Sequence, residues 1–403
     1  MINNLDLLFE KFRSRLSFVS MGFTRGMMEE ISWDARLIGI KGARGVGKTT
    51  LMLQYIKKYL KTDHTVLYIS LDQIWFSENR LTDLADFFVK QGGKHLFLDE
   101  VHKYPDWSRE LKNIYDDHPD LQIVFTGSSL LEILNARADL SRRAIVYTMQ
   151  GLSFREYLAF TTGVQYAHYT IEQILTGHVE IAGTILEKIK PLEHFSAYLR
   201  NGYFPYFQEI PQLYHSRVEE VVNMILEIEL PLLRGLDMAY TSKIKQLLLV
   251  IAESAPFVPN ISKLSERIGI NRITLLSYLS YLQEAGIIRN MYKQAKGISR
   301  LQKPDKIFLE NPNLAFTFNR EAANTGTVRE TFFANQLSRK HTLTYPDTND
   351  FLVDETWFFE IGGRGKSTTI DPTESGKTVW FALDSIEYGN GNRIPLWMFG
   401  FLY

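Results

Sequence analysis

"GARGVGKTT" (residues 42–50) satisfies the spacing G-x-x-x-x-G-K-[ST], with Gly42, Gly47, Lys48 and Thr49 in the required places. An apolar strand at 37–41 enters the stretch and an amphipathic helix at about 48–60 leaves it, the setting in which this pattern binds phosphate. Glycines let backbone N–H groups converge on phosphate oxygens without interference from a Cβ. The residues expected to cradle a nucleotide are therefore Gly42, Arg44, Gly45, Val46, Gly47, Lys48, Thr49 and Thr50. Lys48 would lie against the β- and γ-phosphates of ATP and Thr49 would ligate Mg2+, with the helix dipole adding to the attraction.

Three further stretches fit the same chemistry. "HLFLDE" (95–100) is an apolar strand ending in Asp99 and Glu100. Asp99 is expected to hold Mg2+ through water, and Glu100 to polarise the attacking water. A glutamate directly after the metal carboxylate favours hydrolysis over binding alone. "VFTGSS" (124–129) is another apolar strand ending in small polar residues, where Ser128 would sense the γ-phosphate; a helix cap by Ser128 or Ser129 is the plain alternative. "SRR" (141–143) precedes the last strand of the series. Arg142 or Arg143 would bring positive charge to the transition state, in a neighbouring subunit of a homo-oligomer or a protein partner, or else would be an exposed arginine at a strand entry.

Outward from the loop, short apolar runs alternate with helix-length amphipathic stretches to about residue 150, which indicates a parallel sheet covered by helices. Before it, Leu5, Leu8, Phe9, Phe12 and Leu16 recur at helical spacing, a stripe suited to packing on the same domain. The 403 residues suffice for two to four domains, and 45% hydrophobic with 23% charged residues is ordinary for a globular chain. There are no cysteines, which excludes disulfides and thiolate metal sites. No stretch approaches the ~18 apolar residues needed to span a bilayer, and "MINNLDLLFEKFRSR" has no leader pattern. The chain reads as cytoplasmic, without a membrane partner.

The stretches "IKGARGVGKTTLMLQYIK" (40–57), "LFLDEVHKYPDWSRELKNIYD" (96–116), "IVFTGSSLLEI" (123–133) and "LSFREYLAF" (152–160) occur in order at suitable spacing. With them the chain resembles, over essentially its whole length, the prokaryotic AAA+ ATPases that carry a C-terminal restriction-nuclease-like domain of unknown function. In that family the acid pair is followed by h-K-x-P-x-W, matched by His102, Lys103, Pro105 and Trp107. The family's A-G-R before the last core strand stands here as Ser141-Arg142-Arg143, so the resemblance implies an arginine-finger role there. It implies ATPase activity and supplies no substrate.

Residues 241–300 read as helix–turn–helix–hairpin, the winged-helix pattern. Ile261, Leu264 and Ile268 set one apolar stripe, and Ile273, Leu276, Leu279 and Leu282 the next, with Gly269 at the turn. Asn271, Arg272, Thr274, Ser277 and Tyr278 are expected on the exposed face of the second helix. The segment holds nine Lys and Arg against three Glu, a net of +6 in a chain whose total is −1. That is the footprint of phosphate-backbone contact, so DNA is one expected partner; packing on a protein is the other.

Near the C-terminus, "TGTVRETFFANQLSRK" (325–340) predicts a helix and "NDFLVDETWFFEIGGRGK" (349–366) two strands. An Asp opening one strand and a Glu late on the next resemble the PD-(D/E)XK nuclease core, with Asp350 and Glu360 as carboxylates and Glu330 on the preceding helix. Gly362 stands at the lysine position, and the nearest lysine, Lys366, lies across a turn. The expectation is a vestigial nuclease fold that lacks its local cation. "GGRGKSTT" (362–369) copies the end of a phosphate loop, but the residue five before Gly365 is Glu360, so one nucleotide site is expected.

The expected architecture is α/β: a P-loop NTPase parallel sheet (1–160) with its N-terminal helix, a helical lid (161–240), a winged helix (241–300) and a nuclease-like α/β domain (301–403). The expected function is Mg2+-dependent ATP binding and hydrolysis that alters how the C-terminal domains engage a partner. An ATP-controlled DNA nuclease and an ATP-dependent switch with slow turnover are the alternatives.

Overall fold

The computed structural model describes residues 5–127, 140, 142–235, 238–254, 256–293, 303–319, 324–346, 348–366 and 378–403. Ser128, Ser129 and Ser141 lie outside the described residues. The chain divides into two compact units, Met1–Gly151 and Leu152–Tyr403. Among the described residues no helix is long and apolar enough to cross a membrane.

In the first unit, five parallel strands run in the order β2-β3-β4-β1-β5. They are β1 (Leu37–Lys41), β2 (Val66–Ser70), β3 (His95–Asp99), β4 (Gln122–Gly127) and β5 (Ile145–Thr148). Strands β1 to β4 are almost continuously apolar and buried, as parallel strands covered on both faces must be. The helices are α1 (Leu5–Ser17), α2 (Met27–Glu30), α3 (Lys48–Tyr59), α4 (Leu81–Lys90) and α5 (Trp107–Asp117). The predicted stripe of α1 is buried in full, with Phe12 against Tyr68 of β2 and Phe9 against Phe88 of α4. The α1 stripe therefore packs on its own unit.

The second unit holds a helical portion, a helix pair with a two-stranded sheet, and a mixed five-stranded sheet. The helix Phe154–Thr162 opens with a capping box in which Ser153 and Glu156 exchange hydrogen bonds. The helix pair is Ile261–Ile268 and Arg272–Glu284, with Gly269 closing the first helix at φ 72°. After it β6 (Ile288–Met291) pairs antiparallel with β7 (Lys306–Leu309). The first predicted stripe is correct, and the second is half right: Leu279 and Leu282 are buried, whereas Ile273 is not. Helix Arg272–Glu284 buries Leu275, Tyr278, Leu279 and Leu282, while Ile273 is 79% exposed. Tyr278 thus belongs to the core and not to the exposed face. Asn271 is exposed as expected and is also the N-cap, accepting from Thr274 N at 2.8 Å.

The second sheet has the order β12-β11-β10-β9-β8, from β8 (Leu343–Thr344), β9 (Phe351–Val353), β10 (Trp357–Gly362), β11 (Val379–Leu383) and β12 (Arg393–Pro395). Strands β9 and β10 form a hairpin, while β10, β11 and β12 run parallel. The helix Thr325–Leu337 buries Val328, Phe332, Phe333 and Leu337 and packs on β10.

Asn313 ties the helical portion together. Its Oδ1 accepts from Tyr203 N at 2.8 Å and from the Tyr214 hydroxyl. Its Nδ2 donates to Tyr198 O at 3.1 Å and Leu199 O at 2.8 Å. Removing the amide takes a hydrogen bond from four buried polar groups, although Tyr198 O keeps that of Gly202 N and the Tyr214 hydroxyl that of Phe204 N. Asn313→Ala is expected to cost about 3 kcal/mol, measured by thermal unfolding of the full chain as a loss of roughly 6–12 °C.

Candidate functional site

The loop between β1 and α3 sits at the C-terminal edge of the parallel sheet, where open α/β folds bind their ligands. Gly42 begins it because nothing larger fits: a Cβ there would stand 2.1 Å from the Met149 carbonyl oxygen. Gly47 ends it in the left-handed region, at φ 99°, and caps α3. Lys48 is buried and donates to the carbonyls of Gly42 (2.9 Å) and Ala43 (3.0 Å), so its ammonium already points back over the loop. Arg44, Gly45 and Thr50 are exposed along the rim, whereas the Val46 side chain is buried and serves the loop only through its main chain.

Arg25, just before α2, braces the loop from beneath. It donates to Val46 O (2.8 Å), Gln150 O (2.9 Å) and Gly151 O (2.9 Å). One buried guanidinium thus satisfies carbonyls of the phosphate loop and of the chain after β5.

At the end of β3, Asp99 is held by three hydroxyl donors. Thr49 Oγ1 donates to Oδ2 at 2.7 Å, the Tyr68 hydroxyl donates to Oδ2 at 2.8 Å, and Thr126 Oγ1 donates to Oδ1. Thr126 also accepts from Glu100 N at 3.1 Å, so it fixes both acids. Burial, reinforced by the Asp99 charge, holds the Tyr68 phenol well above its ordinary value and keeps it a donor. Glu100 follows Asp99 with φ 54°, in the left-handed region, which turns its side chain out of the strand direction and leaves it 21% exposed. Burial raises the Glu100 carboxyl above the usual range, against the lowering charge of Lys48. His102 Nε2 lies 3.5 Å from Glu100 Oε2. Burial and then the charges of Lys103 and Lys48 push the imidazole down to about 3, so it is neutral and the contact is no ion pair.

The donor set fits Mg2+. Thr49 and Asp99 offer hard oxygens side by side, and Mg2+ bound with phosphates needs only one or two protein oxygens.

The arginines differ. Arg143 makes a two-pronged pair with Asp116 of α5, Nε to Oδ1 and Nη2 to Oδ2 both at 2.9 Å, while Arg142 is exposed. Sensor candidate Ser128 lies outside the described residues. Thr126, two residues earlier in the same quoted stretch, touches Asp99 and was missed; its signal was a hydroxyl within an otherwise apolar strand. Tyr68 and Arg25 carried no local signal, since neither lies near a motif in sequence.

The second unit gathers Asp350, Glu360 and Lys366. Asp350 Oδ2 accepts from Ile361 N at 2.8 Å, and Asn349 Nδ2 donates to Glu360 Oε1 at 3.2 Å. Lys366 Nζ lies 2.8 Å from Glu360 Oε2 and 3.4 Å from Asp350 Oδ2. The expected lack of a local cation is therefore wrong. The chain turns back after β10, and Lys366 lies over Gly362: a Cβ on Gly362 would stand 2.6 Å from that of Lys366. Burial lowers the Lys366 pKa, but the two carboxylates outweigh it and hold it above its ordinary value. Glu330 pairs with Lys306 Nζ at 2.6 Å; burial raises its carboxyl, and the charges of Asp350 and Lys366 also act on it.

Residues 34–158 match the family model described as "AAA domain". Two uncharacterized proteins of Methanocaldococcus jannaschii are similar over more of the chain. MJ1637 is 28% identical over 290 residues, covering 68% of this chain and 61% of that protein. MJ1544 is 22% identical over 351 residues, covering 81% and 72%. The chain thus spans less than two thirds of the length of MJ1637. Among solved structures, the Walker-type ATPase PABY2304 of Pyrococcus abyssi aligns at 13% identity and TM-score 0.42, over 73% of this chain and 95% of that one. AMPPCP-bound DnaA from Aquifex aeolicus aligns at 14% identity and TM-score 0.25, over 69% and 87%. At these TM-scores neither superposition carries weight; the family match and the loop geometry support an AAA-type ATPase.

Replacing Arg25 tests the brace under the loop. Arg25→Met is expected to cost about 1–3 kcal/mol, because it leaves buried carbonyls unpaired, and to weaken ATP binding. Thermal melts with and without ATP measure both effects, and unchanged melts would remove the brace.

Proposed function

We propose that this chain binds ATP with Mg2+ at residues 42–50 and hydrolyses it, and that the nucleotide state alters how the second unit engages a partner. One observation carries the reading: the Thr49 hydroxyl and the Asp99 carboxylate, fifty residues apart, meet at 2.7 Å beside the loop. A P-loop threonine and a strand-end aspartate are needed together for Mg2+ and for little else. Bound Mg2+ would bridge phosphate oxygens and offset the charge that develops on them. Lys48 turns from the loop carbonyls to the phosphates, and Glu100, its carboxyl raised by burial yet reachable from solvent, orients and deprotonates water. Arg142, exposed before β5, is the better of the two candidates for reaching a neighbouring subunit, because Arg143 is committed to Asp116. The basic segment 241–300 suits DNA as the partner. Asn271, Arg272 and Ile273 are exposed at the start of its second helix, the end that helix–turn–helix proteins present to a groove.

A rate assay of wild type, Lys48→Ala and Glu100→Gln, with and without DNA, tests this. Each substitution is expected to lower turnover about 10²–10³-fold, with Glu100→Gln retaining ATP binding. Equal rates for wild type and Lys48→Ala would sink the nucleotide site. DNA stimulation that falls steeply with salt supports phosphate contact, and its absence points to a protein partner.

Lys366 favours a second reading, metal-dependent DNA cleavage by the C-terminal unit. Asp350, Glu360 and a lysine stand together as such chemistry needs, with the lysine reaching them from a turn. Incubating wild type with plasmid DNA and Mg2+ or Mn2+ is expected to give cleavage that Lys366→Ala slows by about 10²–10³-fold. Intact plasmid with wild type would return this unit to a docking role.

A further inference from the structure

We propose that Tyr68 is a positioning residue for the metal carboxylate, and that Arg15 of α1 holds Tyr68 in that task. The inference rests on the reading of residues 42–50 as an Mg2+-nucleotide site. It concerns two residues outside every motif of the sequence.

Strand register explains why a tyrosine stands at this place. Tyr68 pairs with Phe97 and Ser70 with Asp99, so Tyr68 is the diagonal neighbour of Asp99 on one face of the sheet. Diagonal neighbours lie roughly 7 Å apart, beyond a serine or threonine hydroxyl and within reach of a phenol. The Tyr68 hydroxyl reaches Asp99 Oδ2 at 2.8 Å, and both residues are buried. An ionised carboxylate offers roughly four acceptor positions. Thr49 and Tyr68 fill those of Oδ2, and Thr126 takes one on Oδ1. When Mg2+ is bound, a water of its shell would take the remaining acceptor position on Oδ1. Without the phenol the carboxylate would turn about its last torsion, a broad, roughly two-fold one, and that position would no longer be fixed.

The phenol is itself held. Arg15 Nη1 donates to the Tyr68 hydroxyl at 3.0 Å, and its guanidinium carbon lies 5.8 Å from the ring centroid. Phe12, one turn earlier on α1, packs against the same ring at 6.2 Å. A hydroxyl that accepts from a cation is a stronger donor to the next group. The chain of contacts therefore runs from a cation on the exposed side of α1, through a buried phenol, to the buried acid. A structural role alone would need only the ring, which phenylalanine supplies.

The test is the Mg2+ dependence of nucleotide binding in the full chain, with a fluorescent non-hydrolysable ATP analogue titrated at increasing MgCl2 and in EDTA. Losing a partner behind a metal ligand typically weakens metal binding about 10–100-fold. Tyr68→Phe is expected to raise the Mg2+ concentration at half-effect about 10-fold and to leave the affinity in EDTA unchanged. Arg15→Ala should shift it in the same direction by less, and Arg15→Lys should restore most of the loss. A wild-type Mg2+ midpoint in Tyr68→Phe overturns the proposal. So does a parallel loss of binding with and without Mg2+, which would mark a merely structural residue. Lys48→Ala separates this from the parent reading: if wild type and Lys48→Ala bind the analogue equally, the nucleotide site falls and Tyr68 with it. If only Lys48→Ala loses binding while Tyr68→Phe keeps its midpoint, this inference alone falls.

Discussion

A buried carboxylate surrounded by hydroxyl donors is the constraint around which the first unit is organised. Asp99 is a carboxylate only 2% exposed, and such a group is tolerated when hydrogen-bond donors meet it. The donors come from three different elements: α3 through Thr49, β2 through Tyr68 and β4 through Thr126. The sheet order makes this demanding. β4 lies between β1 and β3, so Thr49, carried by the helix after β1, must reach across the end of β4 to meet an acid on β3. That end is Thr126-Gly127, with Gly127 opposite Lys41 and the Thr126 hydroxyl donating to Asp99 Oδ1.

The same acid links strand register to backbone strain. Glu100 occupies the left-handed region directly after Asp99, and its N–H is taken by Thr126, the hydroxyl that also serves Asp99. The strand therefore cannot continue, and the next side chain leaves the sheet toward the loop. An uncommon conformation of a non-glycine residue persists where the surroundings overdetermine it. Here one threonine supplies that restraint.

The first unit was legible in the sequence where spacing is short and local. The helix that follows the glycine loop, the strand that ends in Asp99 and the α1 stripe are each read within a dozen residues, and each is found where it was read. What was not legible depends on register or on return of the chain. Tyr68 is important because β2 lies beside β3 with Ser70 opposite Asp99, which no count along the sequence gives. Arg25 reaches carbonyls more than a hundred residues away. The stripe of helix Arg272–Glu284 was misread at its start, where Ile273 looked like a core residue. Ile273 lies in the first turn, just after the Asn271 cap, and faces outward at 79% exposure.

Lys366 and Gly362 bear on how active sites are searched for. Motif patterns assume that a functional side chain sits on the residue whose backbone occupies the site. Here the backbone position belongs to a glycine, and the volume a side chain would have filled is taken by one arriving from four residues downstream. The ammonium thus reaches the two carboxylates from a residue other than the one whose backbone lies beside them. A pattern fixed at a two-residue offset from Glu360 scores such a chain as empty, whereas the pair "small residue here, long cation after the turn" would find it.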